Sequence, residues 1–141
     1  MPIGQLEASI TLVNQKVKFE GTAGGKEVVV IDYIPPVGDG EGYMSLELFL
    51  ISFASCAGTS VISLLRRMGK NITGFKVNAK GTRREVHPTG FETIRMEFII
   101  HSKDIEEENV KKALQLSEES ICPVWAMIKN NVEVATEFTV I

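Results

Sequence analysis

The stretch that decides the fold is "LELFLISFASCAGTSVISLLRRMG", residues 46–69. Leu48 to Leu65 carry no charge, and a run of about that length can form a membrane-spanning helix. Ser52, Ser55, Gly58, Thr59, Ser60 and Ser63 interrupt it, and no second such run follows. The better reading is a helix that is apolar nearly all round and buried in a protein core, with no membrane partner. It starts near Met44 or Ser45, with Ser45 as a suitable N-cap. Arg66 and Arg67 suit the negative end of the helix dipole, and Gly69 suits the stop.

Working outward, the segments before this helix alternate like strands. "EASITLVN" and "QKVKFEGT" read as two strands; in the second, Val17 and Phe19 face one way while Lys16, Lys18 and Glu20 face the other. "TAGGK" is turn chemistry. "EVVVIDY" is a third strand whose unbroken apolar run implies burial on both faces. "PPVGDGEGY", residues 35–43, is a loop before the helix. After the helix, "ITGFKVNAKGTR" and "FETIRMEFIIHS" form a strand pair joined through "REVHPTG". A second helix follows, capped by Asp104, with Glu106, Glu107 and Glu108 in its first turn and Lys111 and Lys112 after them. Val110, Ala113, Leu114, Ser117 and Ile121 form its small and apolar stripe. Pro123 opens a short helix, "VWAMIKN", and "VEVATEFTVI" is the last strand. The order is βββ-α-ββ-α-β, an α+β class, and 141 residues suit one domain, 1–141.

Composition narrows the function. The formal net charge is −3 with no basic stripe, which argues against nucleic-acid binding. The opening "MPIGQLEASI" has no basic segment followed by an apolar one, so no signal peptide is read there and a cytoplasmic location is expected. Two cysteines are too few for a secreted disulfide framework, and a disulfide in a reducing compartment is more often catalytic than structural. Two cysteines and the scattered His87 and His101 show no metal-ligand spacing, so no metal is expected. His87 precedes Pro88 and reads as turn chemistry; His101 ends a strand.

The chemistry therefore rests on Cys56 and Cys122. If Pro123 begins a helix, Cys122 is its N-cap, where free backbone N–H groups lower a thiol's pKa. The competing reading is a small apolar residue beneath a helix. Cys56 lies among Ala54, Ser55, Ala57 and Gly58, small enough to let another element or a substrate approach. Ser52, Phe53, Thr59 and Ser60 share its face, with hydroxyls able to bond a thiolate. Buried free cysteine is common, so packing competes here too. Glu47, in the first helical turn, suits the dipole with or without a function.

"LELFLISFASCAGTSVISLLRRMGKNITGFKV" resembles the first-cysteine helix of the OsmC/Ohr family, and "LSEESICPVWAMI" resembles its second-cysteine segment. The separation of 66 residues (122 − 56) is similar to that of the family, and the stretch "VHPTGFETIRMEFIIHS" between them resembles a histidine-proline stretch of its OsmC-like branch. The resemblance implies an OsmC-like fold: a strongly curved antiparallel sheet, two central helices and an intertwined homodimer. It implies a thiol peroxidase that reduces organic hydroperoxides with no bound cofactor. Cys56 would be the peroxidatic residue, Cys122 the resolving one, and an external dithiol the reductant. Glu47 matches the glutamate of the OsmC-like branch. Better-understood members place the glutamate ten residues before the first cysteine, where this chain has Leu46. They also use an arginine from the N-terminal strands, whereas here no arginine precedes Arg66, and Lys16 and Lys18 occupy that region. Two other functions fit the same residues: a non-enzymatic module holding an apolar small molecule, and a redox sensor that forms the disulfide without turnover.

Overall fold

A computed structural model gives the fold and describes residues 4–141; the first three residues of the N-terminal stretch lie outside it. The elements run β1 (Ala8–Leu12), β2 (Phe19–Ala23), β3 (Val29–Ile31), α1 (Ser45–Arg67), β4 (Gly74–Arg83), β5 (Phe91–His101), α2 (Glu107–Leu116), a π turn (Ser117–Ile121), α3 (Pro123–Ile128) and β6 (Glu133–Val140). The order expected from sequence is the order found. The chain divides into two compact units, up to residue 48 and 49–141.

In the first unit β1, β2 and β3 form an antiparallel sheet in sequence order. Gly21 lies beneath Ile10, Val29 and Ile31; an added Cβ would stand 3.2 Å from Ile31 Cδ1, so the glycine makes room for these side chains. β3 is shorter than its apolar run suggests. Its three residues are half-buried and Val28 is exposed, so burial on both faces is not found. The backbone turns away because Asp32, itself buried, gathers the loop after it. Its carboxylate accepts N–H bonds from Tyr33 (2.8 Å), Asp39 (3.2 Å) and Glu41 (3.1 Å). The Glu41 N–H leads in holding this carboxyl below its ordinary range. Lys16 and Lys18 pair with Asp39 (2.5 Å) and Glu41 (3.3 Å) on the same loop.

α1 is long and apolar enough to cross a membrane by length and composition alone. Phe53, Ala57, Val61, Leu64 and Leu65 enter the core of the second unit, as a core helix requires. Ser45 is its first residue rather than its cap. The Met44 N–H is met instead by the Glu47 carboxylate at 2.8 Å. At the other end Gly69 has φ +80°, and the Gly69 and Lys70 N–H groups bond the Arg66 and Leu65 carbonyls. That is a Schellman stop, and only a positive φ makes it.

The second unit holds a sheet of order β4-β5-β6. β4 and β5 are antiparallel, but β5 and β6 are parallel, which corrects the expectation of a wholly antiparallel sheet. The cause is connectivity: α2 and α3 lie between β5 and β6, and such a crossover returns the chain to run alongside in the same direction. Ile94, Met96, Phe98 and Ile100 alternate along β5 and are all buried. Facing them in the core are residues of α1, with Val110, Ala113 and Leu114 of α2. Asp104 does not cap α2. It accepts from Asn71 N–H and Nδ2 at 3.0 Å each, tying the end of β5 to the turn after α1. The N-cap is Glu106, whose N–H donates to Asn109 Oδ1 at 2.9 Å.

Candidate functional site

The second unit brings the two cysteines together. Cys56 Sγ and Cys122 Sγ are 3.2 Å apart, and both are free thiols. Cys56 projects from the middle of α1 and is partly exposed, whereas Cys122 is 2% exposed. A disulfide needs about 2.05 Å between sulfurs. Bonding the two therefore asks the sulfurs to close by roughly an ångström.

Cys122 is set by the chain on either side of it. A residue before proline is driven out of helical geometry, and Cys122 adopts φ −76°, ψ 111°. Pro123 then starts α3 without needing an N–H partner. On the N-terminal side the helix widens instead of ending at α2. Cys122 N–H bonds the Ser117 carbonyl at 3.0 Å, five residues back, closing a π turn. The side chain caps α3 as the sequence indicated, with Sγ accepting the Trp125 N–H at 3.4 Å.

The electrostatic consequence is opposite to that expected of an N-cap thiol. Burial pushes Cys122 from its ordinary value near 9 up to about 11. The Trp125 N–H acts downward but is outweighed, and Cys56 adds to the rise as hydrogen-bond partner and charge. Desolvation outweighs the backbone N–H groups because the sulfur is almost wholly out of reach of water.

The hydroxyls near Cys56 are also engaged differently from the expectation. Ser60 Oγ donates to the Cys56 carbonyl at 3.0 Å, and Thr59 Oγ1 donates to the Ser55 carbonyl at 2.8 Å. Both bond one turn back along their own helix, the usual outlet for such side chains. The small face has a packing partner. A Cβ on Gly58 would stand 3.3 Å from Phe75 and 3.7 Å from Val77, so Gly58 lets β4 approach α1 closely. Of the weaker candidates, His87 leads into a cis bond to Pro88 in an exposed connection, and His101 is exposed at the end of β5. Glu47 stands in the first turn of α1 as its cap.

Two features have no direct sequence signal. Phe53, fully buried, meets Trp125 edge-on at 5.5 Å between ring centroids, which locks α1 to α3 and fixes the helices that carry the sulfurs. Ser117, at the start of the π turn, is fully buried and its Oγ has no hydrogen-bond partner. Only the proline hinted that the helix before it must rewind.

Comparison with known proteins adds the lineage. The chain is 27% identical over 96 residues to Protein YhfA of Escherichia coli K12, covering 68% of this chain and 72% of that protein. It is similar to a hypothetical protein from Aquifex aeolicus VF5 with a TM-score of 0.86 and 26% identity, covering 99% and 98% of the two chains. The organic hydroperoxide resistance protein OsmC of Legionella pneumophila shares the fold at a TM-score of 0.73 and 14% identity, with 99% of each chain covered. The family model for OsmC-like protein matches residues 38–137, which runs through both units and both cysteines. The chain belongs to the OsmC-like protein family.

Proposed function

We propose that this protein is a thiol peroxidase that reduces organic hydroperoxides to alcohols. The carrying observation is the pair of free sulfurs 3.2 Å apart, one partly exposed and one buried. The Cys56 thiolate attacks the distal oxygen of the hydroperoxide. The O–O bond breaks, two electrons pass from sulfur to peroxide, and the proximal oxygen leaves and takes a proton to become the alcohol. Cys56 is left as a sulfenic acid. Cys122 then attacks the Cys56 sulfur as the resolving residue. The S–S bond forms, the S–O bond breaks, and the hydroxide leaves as water with the proton Cys122 gives up. An external dithiol reduces the disulfide and is itself oxidised, restoring both thiols. No bound cofactor is required. Glu47 enters this reading through its match to the acid of the OsmC-like branch.

A cytoplasmic location and a single OsmC-like domain acting as a homodimer complete the proposal. The family match across both units supports the domain, and the exposed apolar side chains of the N-terminal sheet support the assembly. The experiment is turnover of an alkyl hydroperoxide with a dithiol reductant. Cys56→Ser is expected to fall to the uncatalysed background, and full turnover by that variant sinks the proposal. A redox sensor is the second reading, favoured by the ion pairs that engage Lys16 and Lys18 with loop carboxylates. One stoichiometric oxidation per chain without repeated turnover selects it.

A further inference from the structure

We infer that Cys122 keeps its proton and donates it as a hydrogen bond to the Cys56 thiolate, so the sulfur that later closes the disulfide first helps to create the nucleophile. This rests on the peroxidase reading for its use in catalysis, but its physical content is independent of turnover. Cys122 Sγ is the donor towards Cys56 Sγ at 3.2 Å, and it accepts the Trp125 N–H at 3.4 Å. The three groups form a directed chain, N–H to S–H to S⁻, in which each bond polarises the next. A thiol is a weak donor, but an anionic acceptor strengthens the bond.

Burial decides which sulfur carries the charge. Cys122 is 2% exposed and Cys56 is partly exposed, so water can solvate an anion on Cys56 and not on Cys122. The groups that act most on Cys122 are the backbone N–H groups of Trp125 and Val124, and Cys56 itself. The same contact also sets the order of events. An anionic Cys56 holds the proton on Cys122. Oxidation of Cys56 to a neutral sulfenic acid removes that hold, and Cys122 becomes easier to ionise when its attack is due.

The test follows alkylation rather than peroxide chemistry. Reduced protein is treated with iodoacetamide under argon, and modification at each cysteine is read by mass spectrometry across pH 6 to 10.5. In Cys122→Ala the Cys56 rate at pH 7 is expected to fall about fivefold, the scale of one modest hydrogen bond. Cys122→Ser, which keeps a donor, is expected to stay within about twofold of wild type. The difference should narrow as the pH is raised. A Cys122→Ala rate at pH 7 equal to or above wild type overturns the inference. A measurement on the unmutated protein guards against misfolding: with ¹³Cβ-labelled cysteine, the Cys56 resonance must titrate at lower pH than that of Cys122, and the reverse order overturns it. Should alkylation behave as expected while wild type shows no hydroperoxide turnover, the peroxidase reading falls and the donor role stands.

Discussion

The molecule contains two three-stranded sheets with opposite fates. In β4-β5-β6, the alternate residues Ile94, Met96, Phe98 and Ile100 are sealed against helical residues. In β1-β2-β3, β1 is exposed along its whole length, and Ile10 (60%) and Leu12 (52%) stay open to solvent. Both sheets alternate in sequence, so alternation reports which residues share a face and not whether that face is covered. Covering comes from helices, and among the described residues the buried apolar side chains of the core lie at Phe53 or beyond. The second unit therefore holds the buried core and the paired sulfurs. The first sheet presents an apolar trough lined by Ala8, Ile10, Gly21, Val29 and Ile31.

The sharpest way to break this contrast is to truncate one apolar side chain in each sheet. Phe98→Ala leaves a cavity in a fully buried site and is expected to cost about 3–5 kcal/mol. That should lower Tm by at least roughly 10 °C. Ile10→Ala removes an exposed side chain and is expected to stay within about 0.5 kcal/mol under conditions where the protein is monomeric. Thermal melts at several protein concentrations separate the cases. If the Ile10→Ala cost grows with concentration, the first sheet is buried in an assembly; equal costs for both variants erase the distinction between the sheets.

The second unit should also show an alkaline weakness. The folded pKa of Cys122 is raised to about 11 from near 9, so the folded state favours the protonated thiol. Its contribution is fully present below the unfolded pKa and is lost as pH rises through the folded value. Urea unfolding should therefore lose on the order of 2 kcal/mol between pH 9 and 11. Cys122→Ala should lack this slope, and the same slope in wild type and variant would assign it to other groups.

Much of this was legible in the sequence, for identifiable reasons. The element order, the Gly69 stop and the capping role of Cys122 follow from local chemistry, and local chemistry is what a sequence records. The parallel pairing of β5 and β6 was missed because the expectation took the sheet direction from resemblance and not from the intervening helices. The stripe Val110–Ile121 reads as one helix, but the chain spends Ser117–Ile121 on a π turn to bring Cys122 out before Pro123. For the strength of Cys122 as an acid, the cap alone pointed to a lowered pKa, with a small apolar residue beneath a helix as the competing reading. It is a contest between backbone N–H groups and desolvation, and the buried core that removes the water includes residues as distant in sequence as Phe53. Asp32 escaped for the same reason, since its three N–H partners come from a loop whose closure no periodicity reveals.

The smallest expected effect concerns Glu47, which belongs to the first unit by position and to the chemistry by resemblance alone. Its carboxylate accepts the Met44 N–H at 2.8 Å. The amide oxygen in Glu47→Gln can accept the same bond, so stability should change by no more than about 0.5 kcal/mol from the weakened dipole interaction. The substitution thus removes charge while keeping the cap. If the charge serves the peroxide reaction, kcat/KM for an alkyl hydroperoxide should drop several-fold at unchanged Tm. An unchanged kcat/KM would return Glu47 to the role of a helix cap and leave the two cysteines to account for the chemistry.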